Sequence, residues 1–323
     1  MITGNNDSAR STAERRIHHR HSPQSTAVSV ASRLIVKNAV RAWAIQPNLR
    51  WPFESVDRIA GLLPRRGRTE RVQLENCVAE WVRPADPSST RAILYLHGGA
   101  FLTCGLNTHR SLVTRLSRAA DAGVLNVAYR MLPEHGISDA IDDCLSGLRW
   151  LHRRGYDQDS IVVAGDSAGG YLAFMTALAA EAERFGAPAG VAAVSPFTDP
   201  DPAGKLGHRN ARRCSMFPSA ALSVFARYLS RAGIVSPVDA DLSSLPPVTI
   251  HASSDELLLP DAELMAQRVA AAGVSCELHL WDGQIHDFPI AADVLPEGRR
   301  AIRYLGDFVQ GVTAHPPRDG QAA

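Results

Sequence analysis

Gly165-Asp166-Ser167-Ala168-Gly169 is a G-x-S-x-G pentapeptide set between an unbroken apolar run, Ile161–Ala164, and a long apolar stretch from Gly170 to about Phe185. The run reads as a strand buried on both faces and the stretch as a helix. A serine between the two occupies a sharp turn, a nucleophile elbow, that exposes its hydroxyl. Gly165 and Gly169 remove side chains that would collide with the neighbouring strand and helix. The helix start adds backbone N–H groups without intrahelical partners, suited to a developing negative charge. Ser167 is therefore the candidate nucleophile, and Ala168 a candidate donor to an oxyanion.

A serine hydroxyl is a weak nucleophile until a base takes its proton. With an elbow of this kind the acid and then the histidine follow the serine along the chain. Of the twelve histidines, His279, His286 and His315 follow a plausible acid. His279 lies within a strand and reads as a packed residue, and His315 sits in a Pro-rich tail. His286, in Asp282-Gly283-Gln284-Ile285-His286-Asp287-Phe288, falls just past a strand end. That is the edge of a parallel sheet where Ser167 must also lie, so His286 is the candidate base. For the acid, Asp255 directly follows the strand Val248–Ser253 and is preferred. Glu256, one residue further on, is its nearest competitor, because both could reach. Asp261 follows Pro260 and reads as a carboxylate in a first helical turn. The oxyanion needs aimed donors. His97-Gly98-Gly99-Ala100 follows a strand directly, as an HGGG-type oxyanion loop does, and makes Gly98 and Gly99 candidate donors.

These residues demand a sheet that brings several strand ends to one edge. Apolar runs at Arg91–Leu96, Val124–Tyr129, Gly190–Ser195, Val248–Ser253 and Glu277–Trp281 alternate with helical segments at about 109–122, 138–152, 260–272 and 297–310. Such alternation predicts an α/β fold with a mostly parallel, doubly wound sheet. The segment Val72–Pro84 alternates like an edge strand. Residues 1–25 read as a disordered basic tail and 26–70 as N-terminal cap helices. Residues 71–312 read as the catalytic domain, interrupted after its sixth strand by a second cap insertion at 196–246 with its own helix at Ser219–Arg231. Residues 313–323 read as a second tail.

Composition narrows the function. The chain has 323 residues, 45% hydrophobic and 21% charged, enough for a sizeable core. A net charge of +1 gives no reason to expect a nucleic-acid partner. No apolar run approaches the roughly 20 residues of a membrane span. Five scattered cysteines without a C-x-x-C pair indicate neither zinc nor disulfides and suit a cytoplasmic location.

The motifs His97-Gly98-Gly99-Ala100-Phe101, Tyr129–His135, Gly165–Gly170 and Ser195–Pro200, followed by the run from Ser236 to Leu258, resemble the hormone-sensitive-lipase-like branch of the α/β-hydrolases over about residues 72–310. The resemblance implies nucleophile Ser167, acid Asp255, base His286 and oxyanion donors Gly98, Gly99 and Ala168. It also implies a two-part helical cap and a serine carboxylesterase of short- to medium-chain esters, working through an acyl-enzyme without metal or cofactor. It allows a homodimer through the sheet edge. Ala100 stands where the strictest motif has a third glycine, and Met131-Leu132 where the family usually has Leu-Ala. Glu134 matches a residue that braces the site from behind. An amidase or arylformamidase would share the same residues. A non-catalytic small-molecule receptor on this fold tends to lose the histidine, which is present here.

Overall fold

The computed structural model describes residues 12–49, 51–62, 67, 69–86, 88–183 and 185–314. In chain order these form strand β1 (Glu14–His18), helices α1 (Pro23–Leu34), α2 (Val36–Ile45) and α3 (Phe53–Ala60), then strands β2 (Thr69–Gln73), β3 (Val78–Val82) and β4 (Ala92–Leu96). Next come α4 (Leu106–Ala120), β5 (Gly123–Ala128), α5 (Ile137–Arg153), β6 (Ile161–Asp166), α6 (Ala168–Ala182) and β7 (Gly190–Val194). The insertion carries α7 (Ala203–Gly207), α8 (Asn210–Arg213) and α9 (Ser219–Arg231). The chain closes with β8 (Val248–Ser253), α10 (Leu259–Ala271), β9 (Cys276–Trp281) and α11 (Pro296–Val312).

The strands make one sheet in the order β1-β9-β8-β7-β6-β4-β5-β3-β2. It is parallel from β1 to β5, and β3 and β2 continue it antiparallel. Every residue of β4, β6, β7 and β8 is buried, which is why these strands read as continuous apolar runs. Alternate residues go to opposite faces: Leu94 and Leu96 join Leu148 and Phe174 on one side, Ile93 and Tyr95 join Leu116 and Val309 on the other. Helices α5, α6 and α10 therefore cover one face, and α4 and α11 the other.

Two expectations need correction. The tail expected over residues 1–25 is ordered structure from Glu14 onward, and residues 1–11 lie outside the described residues. Strand β1 pairs in parallel with β9, from Glu14 opposite Glu277 to His18 opposite Trp281. Its side chains are mostly exposed, with Arg15 paired to Glu263 and Arg16 to Glu277. The ladder is held by backbone and surface charge rather than apolar burial, so no hydrophobic pattern announces it. The alternating segment at 72–84 is likewise a hairpin, with β2 and β3 joined by a turn in which Leu74 N–H donates to Cys77 O at 2.9 Å. Residues 315–323, and with them His315, lie outside the described residues.

No described helix is long and apolar enough to cross a membrane.

Candidate active site

The C-terminal ends of β4, β6, β8 and β9 converge on one edge of the sheet, and each delivers one part of the site. Ser167 sits between β6 and α6 at φ 51° and ψ −115°, a conformation that costs a non-glycine residue about 1–3 kcal/mol. The turn closes because its flanks carry no side chain. A Cβ on Gly165 would strike Gly169 O, and one on Gly169 would strike Leu96 O and His97 O. The backbone holds the turn from the other side, as Ser167 N–H donates to Val194 O at 2.9 Å and Phe197 N–H to Ser167 O at 3.1 Å.

His286 Nε2 lies 2.9 Å from Ser167 Oγ. Its Nδ1 lies 2.5 Å from a carboxylate oxygen that belongs to Glu256, not to Asp255. A carboxylate only accepts, so Nδ1 carries a proton, and Nε2 is the nitrogen that faces the hydroxyl of Ser167. The preference for Asp255 is corrected here. After β8 the chain turns back on itself: Glu256 Oε1 accepts the Ser253 N–H at 2.8 Å, and Glu256 is 1% exposed. Asp255 occupies the outward position of this turn. It offers its backbone N–H to Ser253 Oγ at 3.2 Å, and its carboxylate makes no hydrogen bond to His286.

The loops that carry acid and base are tied together and to the cap. Ser253 Oγ donates to Gln284 O at 2.7 Å, and Ser25 of α1 donates to Gly283 O at 2.7 Å. Asn210 of α8 donates from Nδ2 to Ser254 O and Glu256 O at 2.8 and 2.9 Å. Phe217 packs edge-on against the His286 ring at 4.9 Å between centroids. The insertion is anchored by Asp261, which was expected only to sit in a first helical turn. It accepts the N–H groups of Thr198 and Asp199 and the Lys205 ammonium, the last at 2.6 Å, and burial pushes its carboxyl up to about 6 despite that charge.

Behind the serine, Asp166 Oδ2 accepts from His109 Nε2 at 3.0 Å and Oδ1 from Tyr95 at 2.7 Å. Burial works to raise this carboxyl, but His109 and Tyr95 hold it below the usual range. The candidate oxyanion loop rests on this group, because a Cβ on Gly98 would strike Asp166 Oδ2. Gly99 has φ 122°, where only glycine is unstrained. Ala100 takes φ 56°, and Leu132 N–H donates to Phe101 O at 2.9 Å to back the loop. Ala168 opens α6, where the first N–H has no partner within the helix. His97 stacks on Tyr129 at 4.4 Å, and burial then the neighbouring His109 lower it to about 4, a bracing residue rather than a proton carrier. Cys104 is pushed up to about 12, chiefly by burial, and is an inert thiol. Glu134 is exposed, and no hydrogen bond or ion pair joins it to the site. His279 is a packed strand residue, stacked on His251 at 4.3 Å.

A further site residue also escaped the sequence reading. Asp287, next to the base, brings Oδ2 to 2.9 Å from His286 Nε2. Burial alone would lower His286, but Asp287 and Glu256 overrule it and hold the imidazole well above its ordinary value. Nothing in the sequence distinguishes this aspartate from a surface charge on a loop. Among the described residues no cluster of His, Cys, Asp and Glu could hold a metal ion.

Comparison with known proteins bears on the family and the fold. A family model described as alpha/beta hydrolase fold matches residues 93–290. The chain is 41% identical over 299 residues to Esterase LipU of Mycobacterium tuberculosis, covering 87% of this chain and 100% of that protein. It is 38% identical over 305 residues to the Carboxylesterase/phospholipase LipF of the same organism, covering 88% of this chain and 81% of that one. An esterase from the bacterial hormone-sensitive lipase family superposes with TM-score 0.79 at 30% identity, covering 91% of this chain and 100% of its own.

Proposed function

The chain belongs to the hormone-sensitive-lipase-like branch of the α/β-hydrolase fold family, its relatives above being named esterases and carboxylesterases, and from that premise we propose that it works as a serine carboxylesterase with Ser167 as nucleophile, His286 as base and Glu256 as the acid that orients it. The observation that carries this reading is the unbroken chain from Ser167 Oγ to His286 Nε2 at 2.9 Å and from His286 Nδ1 to Glu256 at 2.5 Å.

Ser167 Oγ attacks the ester carbonyl as His286 takes its proton, and the positive imidazolium is stabilised by Glu256. Negative charge collects on the former carbonyl oxygen, facing the N–H groups of Gly98, Gly99 and Ala168. His286 then protonates the departing alcohol, leaving an acyl-serine. Water, deprotonated by the same imidazole, attacks this ester and releases the acid and the free serine. No step calls for a metal or cofactor. The strained φ and ψ of Ser167 support the reading, because a non-glycine residue is kept there only where the surrounding structure over-determines it.

The substrate is a short- to medium-chain ester. Ser167 is 6% exposed and His286 2%, under a cap whose Phe217 touches the base. A covered site of this kind suits a molecule taken from solution better than a chain drawn from a lipid droplet. The five free cysteines support a reducing, cytoplasmic setting. A series of p-nitrophenyl esters from acetate to palmitate tests the assignment alongside Ser167→Ala. Activity should peak at short to medium chains and fall on the order of a millionfold in the variant. A phosphonate should label Ser167 alone. Labelling of another serine, or near-normal turnover by Ser167→Ala, would remove the nucleophile. A sharp rise on emulsified long-chain triglyceride would mark a true lipase instead.

A further inference from the structure

His286 has a carboxylate at each nitrogen, and a triad base needs only one. Glu256 at Nδ1 fixes the tautomer. Asp287 Oδ2 stands 2.9 Å from Nε2, the nitrogen that must be unprotonated before it can accept the proton of Ser167, and as near as Ser167 Oγ itself. We propose that Asp287 is a second, opposing carboxylate on the base: as pH falls it holds an additional proton at Nε2 and so sets the lower pH edge of activity. This rests on the reading of Ser167 and His286 as nucleophile and base.

The local backbone aims the carboxylate. Asp287 takes φ 52° and ψ 37°, the left-handed region, and its N–H donates to Ser195 Oγ at 3.2 Å. Asparagine, aspartate and glycine tolerate that conformation best, so the fold requires one of the three but not a charge. The charge that is present falls on Nε2. Its side chain is 13% exposed, and its second oxygen, Oδ1, is buried without a hydrogen-bond partner. A buried, half-satisfied carboxylate binds a proton readily, and burial pushes Asp287 up to about 7 against the pull of His286.

The groups that face the pair act in the same direction. Glu256, from the loop after β8, adds negative charge at Nδ1. Asp166, at the end of β6, adds more to the field at Asp287, with His109 of α4 and Tyr95 of β4 committed to it by hydrogen bonds. Cys104 is held protonated and contributes no charge. Below the edge, one proton is shared between Asp287 and Nε2, and Ser167 has no base. Above it the proton leaves, Nε2 is free, and the serine is activated.

The test is the pH dependence of kcat/KM for a soluble short-chain ester, whose acid limb reports the base of the free enzyme. Asp287→Asn keeps the size and the left-handed backbone and removes the charge. Its acid limb should move down by about one unit, so that activity well below the wild-type limb rises about tenfold relative to the plateau. Asp287→Gly, also at ease in the left-handed region, should shift it alike. An acid limb that stays put or moves up in a folded Asp287→Asn protein overturns the proposal, as does a profile shifted by glycine alone. Should neither variant fold, 15N shifts of His286 in the wild-type protein decide. Protonation of Nε2 persisting above pH 6.5 supports the proposal, and an unprotonated Nε2 at about pH 6 overturns it. His286→Ala separates the two levels. If it retains activity, the underlying triad is wrong. If it is inactive while the limb of Asp287→Asn is unmoved, only the role of Asp287 falls.

Discussion

Glu256→Gln is the substitution whose outcome the geometry constrains most tightly. The wild-type carboxylate accepts twice, from Ser253 N–H at 2.8 Å and from His286 Nδ1 at 2.5 Å. A glutamine has one oxygen and one NH2 for these two donors. If the oxygen stays on Ser253, the NH2 faces Nδ1, which must then accept. Nε2 carries the proton and cannot take one from Ser167. If the amide flips, the tautomer is right but the NH2 confronts the Ser253 N–H, leaving buried donors unpaired at a cost of about 1–3 kcal/mol. In either orientation the imidazolium loses a charge-assisted hydrogen bond of about 1.5–3 kcal/mol. Together these terms make about 2.5–6 kcal/mol, or roughly seventyfold to twenty-thousandfold in turnover. Asp255→Asn, at a half-exposed position without contact to the base, should cost less than about 1 kcal/mol. Stopped assays on p-nitrophenyl butyrate, with circular dichroism to check the fold, measure both. If Asp255→Asn is the crippled variant and Glu256→Gln keeps more than a tenth of activity, the carboxylate at 2.5 Å does not orient the base and the reasoning fails.

Two further outcomes concern stability. Lys205→Met leaves Asp261 charged and unpaired in the interior, both partners being 1% exposed, and should cost about 3–5 kcal/mol in urea denaturation. Lys205→Met combined with Asp261→Asn should recover part of it, and a loss below 1 kcal/mol in the single variant would remove the ion pair as the anchor of the insertion. The second outcome is acid sensitivity. His97 and His18 are both lowered from 6.5 to about 4, chiefly by burial, and His251 is also lowered. The unfolded chain then binds protons that the folded one refuses, so stability is full above about pH 6.5 and drains away as pH falls toward 4. His97 alone is worth about 3 kcal/mol across that window. His109 and His286, raised by neighbouring carboxylates against their burial, and Asp261 and Asp287, raised by burial, work the other way. Removing the buried imidazole in His97→Asn should therefore make the change in melting temperature between pH 6.5 and 4.5 more favourable to the folded state than in the wild type, and an unchanged slope would refute the attribution.

The buried strands were legible because burial on both faces leaves an unbroken apolar run, as in Ile161–Ala164 of β6. Helix α9 spans Ser219–Arg231, the same residues that the pattern marked within the insertion. Ser167 and His286 could be named because elbow glycines and strand-end position are local features, and the structure brings the two together. The choice between Asp255 and Glu256 was not local. It turns on which way a two-residue turn leaves β8, and nearness to the strand end favoured the residue that faces outward. Asp287 and the group of Asp166, His109 and Tyr95 were illegible for a related reason. Asp287 adjoins its partner in the chain, but only the left-handed backbone there turns its carboxylate onto Nε2, while His109 and Asp166 lie on separate elements, 57 residues apart. Strand β1 left no trace because a charged edge strand alternates nothing hydrophobic.

The pairing of β1 with β9 bears on the order in which the molecule can be assembled. His18 meets His279 across 261 residues of chain, and Ser25 reaches Gly283 across 258. Both partners sit on the strand and loop that lead to His286, among the last parts of the sheet to be synthesised. A growing chain therefore makes β1 and the start of α1 first and has nowhere to seat them until the final strand has joined the sheet. Closing so long a loop early would be entropically costly and slow. The elbow can form well before that, since β6, α6 and β7 are consecutive. Seating of β1 and the start of α1 is thus bound in time to the arrival of the base: the step that provides the docking edge for β1 also carries His286 to Ser167.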